Sequence, residues 1–141
     1  MQWAEDFELG VVELDSQHRN IHSLILRIRE VEAPADHDCI GSAIVEIQRV
    51  ASAHFEYEER LMLEYDCPDL ARHAADHARL MQEIHGYVGN PVFNPQQLTR
   101  VLFNWLTSHI MLGDRPLANH ILQLRERRGD PATGTKPAGT S

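Results

Sequence analysis

The chain predicts an all-α, up-down-up-down four-helix bundle with a non-helical N-terminal arm and a short C-terminal helix. Three observations carry this expectation. Apolar residues recur at steps of three and four along four long stretches, the period of a helix with one buried face. Clusters of Pro and Gly separate those stretches, and no alternating strand pattern of any strength is present. The connections are short, which favours antiparallel neighbours. At 141 residues the chain is one ordinary domain, long enough to bury a core without staples.

Residues 1–13 read as the non-helical arm, with Trp3, Phe7 and Leu9 available to pack. Asp15 or Ser16 is placed to N-cap a first helix over 16–32. Its stripe is Leu14, Ile21, Leu24, Ile25, Ile28 and Val31, and Ala33-Pro34 ends it. Asp36 or Asp38 caps a second helix over 38–64, whose stripe runs Ile40, Ile44, Ile47, Ala51, His54, Glu58 and Leu61 before Cys67-Pro68 breaks it. Asp69 opens a third helix over 69–88, with Leu70, His73, His77, Leu80 or Met81, Ile84 and Val88 inward and Gly89-Asn90-Pro91 as the stop. Asn94-Pro95, a cap followed by Pro at the first helical position, opens a fourth over 95–112. Its stripe is Leu98, Val101 or Leu102, Trp105, His109 and Leu112. Gly113 and Pro116 interrupt it, and a short amphipathic piece from Leu117 to Arg127 follows. The domain therefore spans 1–128, and residues 129–141 read as a disordered tail.

Composition narrows the function. The net charge is −8 with His neutral, and no Lys/Arg cluster stands out. That argues against nucleic acid as a partner and against docking on anionic membranes. The N-terminus has neither the basic nor the apolar segment of a secretory signal, and no apolar run approaches a membrane span. A cytoplasmic location is expected. Cys39 and Cys67 form no CxxC pair and read as reduced structural thiols, with a disulfide between them left open.

The informative residues are polar ones on apolar stripes. His18, His54, Glu58, His73, His77 and His109 occupy core positions, and Asp114 follows on the last helix. In an antiparallel bundle the start of helix one, the end of two, the start of three and the end of four lie at one level. All seven residues therefore converge on one end of the core. A lone histidine on an apolar face is usually a hydrogen-bonded core residue, and on that ground no metal role is assigned to His22, His37, His85 and His120. Seven together are better explained by a metal centre, because unpaired buried charges cost several kcal/mol each.

Spacing supports that explanation. His54/Glu58 and His73/His77 are i,i+4 pairs, one turn apart on one face. His109 and Asp114 are five apart, about 140° out of line on a regular helix. Asp114 turns inward only if the helix loosens or ends there, which Gly113 permits and Pro116 favours. Five imidazoles exceed the needs of a tetrahedral zinc with an open position. Five nitrogens, two bridging carboxylates and a solvent bridge suit two octahedral-type ions, one of them a ligand short. Imidazole with carboxylate fits iron, and zinc, copper or nickel less decisively.

The stretches Asp15-Ser-Gln-His18, His54-Phe-Glu-Tyr-Glu58-Glu59, His73-Ala-Ala-Asp-His77 and His109-Ile-Met-Leu-Gly-Asp114 resemble the hemerythrin signature. The likeness covers residues 3–120 and is to the bacteriohemerythrin-like, single-domain form of the family. It implies two Fe ions. His73, His77 and His109 would hold one, and His18 and His54 the other, which keeps an open position. Glu58 and Asp114 would bridge, together with an oxo or hydroxo group. The implied function is reversible dioxygen binding for carriage, storage or delivery to an unidentified protein recipient, rather than enzymatic turnover. On that resemblance Ile21, Phe55, Trp105 and Ile110, with Ile25 and Met62, form the apolar wall of the oxygen pocket; their other reading is ordinary core. Trp3 packs the arm.

Two departures bear on pocket shape and autoxidation. His22 stands where the family more often has an apolar residue, and it reads as a boundary residue. The tyrosine often found after the last carboxylate is missing from Arg115-Pro-Leu-Ala. Competing functions are oxygen or redox sensing and iron or nitric-oxide handling. A di-iron oxidase or peroxidase ranks lower, because such bundles use Glu-x-x-His pairs and this chain has only Asp15-Ser-Gln-His18 at the site. A metal-free structural bundle is the remaining alternative.

Overall fold

The computed structural model describes residues 3–30, 37–87 and 95–129. Within them the chain forms a 3-10 turn, Glu5–Phe7, and then α1 (Val12–Arg29), α2 (His37–Glu64), α3 (Leu70–His85) and α4 (Pro95–Ser108). A π-helical turn, His109–Asp114, links α4 to α5 (Arg115–Arg128). No strand occurs among the described residues. α1 packs on α2 and α4, and α2 also packs on α3, which gives the expected up-down-up-down bundle. No helix among the described residues is long and apolar enough to cross a membrane.

The start of the chain differs from expectation. The arm contains one 3-10 turn, with Phe7 N–H donating to Ala4 O and Glu8 N–H to Glu5 O, each at 3.0 Å. α1 begins at Val12 rather than 16, because Val11 and Leu14 are fully buried and their burial fixes a turn upstream. Asp15 therefore lies inside the helix and Ser16 is not a cap. The Asp15 carboxylate reaches back and accepts the N–H groups of Leu9 (2.8 Å) and Gly10 (3.1 Å). Gly10 makes the bend at φ 93°, and a Cβ there would meet Leu122 at 3.2 Å. The positive φ is what calls for glycine.

Other boundaries have local causes. Asp38 is the second residue of α2 and not its cap, and Asp36, Val31 and Ala33-Pro34 lie outside the described residues. α2 stops before Cys67-Pro68. Asp66 takes φ 52°, Asp66 N–H donates to Leu63 O, and Cys67 N–H donates to Met62 O at 2.9 Å. This is the Schellman pattern with a left-handed residue just past the helix. Asp69 precedes α3 but makes no side-chain cap bond; its carboxylate pairs with Arg72 at 3.2 Å. α3 ends at His85, and Val88, Gly89-Asn90-Pro91 and Asn94 fall outside the described residues, as do residues 130–141. α5 closes on Gly129, at φ 71°. Cys67 is a free, half-buried thiol.

One core follows the stripes. Ile21, Ile25, Ile28, Ile40, Ile44, Ile47 and Ile110 have essentially no exposed surface. Where two residues competed for the inward position, Leu80 and Leu102 are buried, while Met81 is half-buried and Val101 exposed. Replacing Ile47 with Ala should lower the unfolding free energy by about 2–5 kcal/mol, and Asp15→Ala, which removes the acceptor for the Leu9 and Gly10 N–H groups, by about 0.5–1.5 kcal/mol. Urea unfolding measures both. A smaller loss for Ile47→Ala than for Asp15→Ala would contradict this account of the core.

Candidate metal centre

The bundle brings all seven singled-out residues to one end of its axis, and all seven are buried. α1 supplies His18, α2 supplies His54 and Glu58, and α3 supplies His73 and His77. His109 and Asp114 open and close the π-helical turn. That turn is the loosening Asp114 requires: i→i+5 bonding widens the backbone and brings residues five apart onto one face. Asp114 Oδ2 lies 3.1 Å from His109 Nε2. His73 and His109 pack against Gly113, where a Cβ would meet His73 Cε1 at 3.4 Å and His109 Nδ1 at 3.6 Å, ordinary van der Waals contact. Pro116 does not break the helix. It is the second residue of α5, directly after the π-helical turn, where the backbone has already left the regular α-helical bonding pattern. The wider turn also corrects one expectation, because Leu112 swings out to 78% exposure instead of facing the core.

The imidazole Nε2 atoms point at two carboxylates. Asp114 spans the site, with Oδ2 2.7 Å from His18 Nε2 and Oδ1 3.2 Å from His73 Nε2. Glu58 does the same: His54 Nε2 lies 3.2 Å from Oε2, His77 Nε2 lies 3.1 Å from Oε1, and His73 Nε2 contacts Oε1. The donor atoms fall into two overlapping groups, each within 4.8 Å: His18, His54, Glu58, His109 and Asp114; and Glu58, His73, His77 and His109. Glu58 and His109 belong to both. His109, expected on the side of His73 and His77, is within reach of either group.

The donor set fits cations. Glu58 Oε2 and His109 Nε2 are buried with charged neighbours but no well-aligned hydrogen bond, a costly state for polar atoms that coordination would relieve. His18 Nε2 and His54 Nε2 face each other at 3.2 Å, an arrangement suited to lone pairs directed at a shared charge. Two rings are fixed from behind. His54 Nδ1–H donates to Gln17 Oε1 at 2.6 Å, and His77 Nδ1–H donates to Glu59 Oε2 at 2.8 Å. Each bond leaves Nε2 free as the inward donor. Gln17 and Glu59 were not singled out from sequence. Their adjacency to His18 and Glu58 was visible, but their partners sit on neighbouring helices.

Apolar side chains pack against much of the cluster. Phe55 stacks on His77 at 4.0 Å and 6°, and Trp105 lies parallel to His109 at 6.1 Å and 11°. Ile21, Ile25, Ile110 and Met62 are buried. His22 is also buried rather than at the boundary, packed against Trp3 at 5.6 Å and Phe103 at 5.7 Å. His120 Nε2 donates to Tyr65 O and His85 Nδ1 accepts from Gln48, both at 3.0 Å. The His37 side chain is outside the described residues.

Without a metal, protons take its place. Burial pulls His73 and His109 down, but the Asp114 and Glu58 carboxylates outweigh it and push His73 up to about 9 and His109 to about 10. The same carboxylates raise His54 against its burial, whereas burial prevails at His18 and lowers it. Burial favours the neutral forms of Glu58 and Asp114, yet the facing imidazoles hold both well below the usual carboxylate range. The raised histidines contribute stability that is complete below their ordinary value of about 6.5 and lost as pH rises through 9 to 10. The depressed carboxylates contribute stability that is lost in acid. The melting temperature of the metal-free protein should therefore fall as pH rises from about 6.5 to 10. The metal-loaded protein, whose ligands have already given up those protons, should decline less. Parallel melting curves for the two forms would contradict this.

Residues 9–121 match the family model described as Hemerythrin HHE cation binding domain. A bacteriohemerythrin of Stenotrophomonas maltophilia (strain R551-3) is 26% identical over 124 residues, 84% of this chain and 80% of that protein. One from Methylococcus capsulatus (strain Bath) is 28% identical over 123 residues, 82% and 92% of the two chains. One from Clostridium acetobutylicum is 25% identical over 122 residues, 80% and 95%. The matched span contains the whole His/Glu/Asp cluster, so family and geometry together support non-haem iron binding. A family match over most of the structured chain, on a helical bundle with this buried donor set, makes the protein a member of the hemerythrin family.

Proposed function

We propose that the protein binds dioxygen reversibly at two irons held by His18, His54, Glu58, His73, His77, His109 and Asp114, as a carrier, store or delivery protein. The observation that carries this reading is the buried, histidine-rich cluster, in which five imidazoles face two carboxylates that themselves have no exposed surface. The name bacteriohemerythrin, borne by the relatives, supports it. His73 and His77 serve one position and His18 and His54 the other. His109 would join His73 and His77 on the family pattern, and Glu58 and Asp114, whose oxygens reach rings of both groups, would serve both irons. An iron pair held there would supply the two electrons that reversible dioxygen binding requires.

The protein's own residues make that exchange reversible. Ile21, Ile25 and Ile110 have no exposed surface, and Phe55 and Trp105 cover two of the ligand rings. This layer limits the access of water and protons to the α1/α2 side of the site, where either would drain the exchanged charge. A histidine-rich donor set carries less negative charge than the carboxylate-rich sites of Glu-x-x-His bundles, which favours binding over bond cleavage.

A second reading, iron or nitric-oxide handling, draws support from a cleft of about 550 Å³ lined by α3 and α4 residues. His73 and His109 lie on its wall beside Gly113, so one edge of the site is approachable from solvent. Oxygen mixed with the anaerobically reduced, iron-loaded protein separates the two readings. Visible bands should appear, vanish on deoxygenation and return over repeated cycles. Irreversible bleaching, or iron passing to a chelator faster than oxygen binds, would overturn the carrier reading. Glu58→Ala removes a carboxylate common to both donor groups and should leave at most a single iron per chain by metal analysis; retention of both would contradict the bridging role.

A further inference from the structure

Gln17 and Glu59 occupy matched places with unmatched chemistry. Gln17 on α1 holds His54 on α2, and Glu59 on α2 holds His77 on α3. His54 belongs to one donor group only, and His77 only to the other. Each metal position thus has one imidazole anchored through Nδ1, the first by a neutral amide and the second by a carboxylate. The remaining ring particular to the first group, His18, has its Nδ1 buried without a partner among the described residues. The first group therefore has no anionic acceptor behind either of those two rings.

The difference matters because an acceptor behind an imidazole tunes the nitrogen in front. A carboxylate draws the Nδ1 proton more strongly than an amide does, pushes electron density to Nε2 and strengthens it as a donor. A stronger donor favours the more highly charged, ferric ion. Glu59 can carry its charge here because its side chain is 34% exposed, while the ring it holds is buried.

Resting on the two-iron reading above, we propose that Glu59 and Gln17 are positioning residues that make the two iron positions electronically unequal. Glu59 stabilises the ferric state at the His73/His77 position, and Gln17 leaves the His18/His54 position the weaker-donor, more readily reduced one.

The test uses the full-length, iron-loaded protein with Glu59→Gln, Glu59→Ala and Gln17→Glu, reading the midpoint potential by spectroelectrochemistry and iron release to a chelator. Glu59→Gln keeps an acceptor oxygen and drops the charge. It should retain both irons and raise the midpoint, by about 59 mV for each tenfold loss of ferric preference. Gln17→Glu should lower the midpoint. Glu59→Ala, which also loses the anchor, should weaken iron binding by about 10–100-fold, more than Glu59→Gln does. If the unsubstituted protein holds two irons and Glu59→Gln leaves its midpoint unchanged, the inference is overturned whether or not Gln17→Glu folds. If the unsubstituted protein takes up no iron, the proposed function falls, and this inference with it.

Discussion

Glu58 and Asp114 have no exposed surface, yet each must keep its charge at the axis of a small bundle. An isolated buried carboxylate would neutralise or unfold its surroundings, and two side by side repel each other as well. The end of the bundle that holds them is organised around this burden. Five imidazoles face the two carboxylates, two of those rings are held by Gln17 and Glu59, and Phe55 and Trp105 lie flat against two rings. In the metal-free state the compensating charge is a set of protons on histidines. In the loaded state it would be the metal ions themselves. Fold stability and metal affinity are then two measures of the same compensation.

The backbone is shaped to the same end. An ordinary α-helix through His109–Asp114 would direct Asp114 away from the cluster. The π-helical turn brings it in, leaving Leu112 at 78% exposure. His73 and His109 lie against Gly113. At the opposite corner, the Schellman turn after Glu64 ends α2 a turn and a half past Glu58 and starts α3 soon enough to present His73 at the same level. Both devices are local, and both serve the level at which the seven residues meet.

Much of this was legible in the sequence because it rests on period and topology. Residues four apart on a stripe share a face, so His54/Glu58 and His73/His77 could be paired without coordinates. Antiparallel order then set all four helix ends at one level. Even the misfit of His109 with Asp114 pointed to a loosened helix, although not to its π form. What escaped was decided between helices or by competition. Asp15 has the chemistry of an N-cap, but burial of Val11 and Leu14 moved the start of α1 upstream of it. His22 looked like a boundary residue and is buried because Trp3 and Phe103 close over it. Gln17 and Glu59 carried no periodic signal, since each reaches a ring on the next helix.

The central claim is that the buried cluster is a two-metal site rather than a hydrogen-bonded polar core. Anaerobic calorimetric titration of the metal-free protein with ferrous ion, repeated in buffers of different ionisation enthalpy, tests it most directly. The account predicts saturation at two ferrous ions per chain, with protons released on uptake as the raised histidines become ligands. Uptake that does not saturate, or saturation at two without proton release, would contradict it.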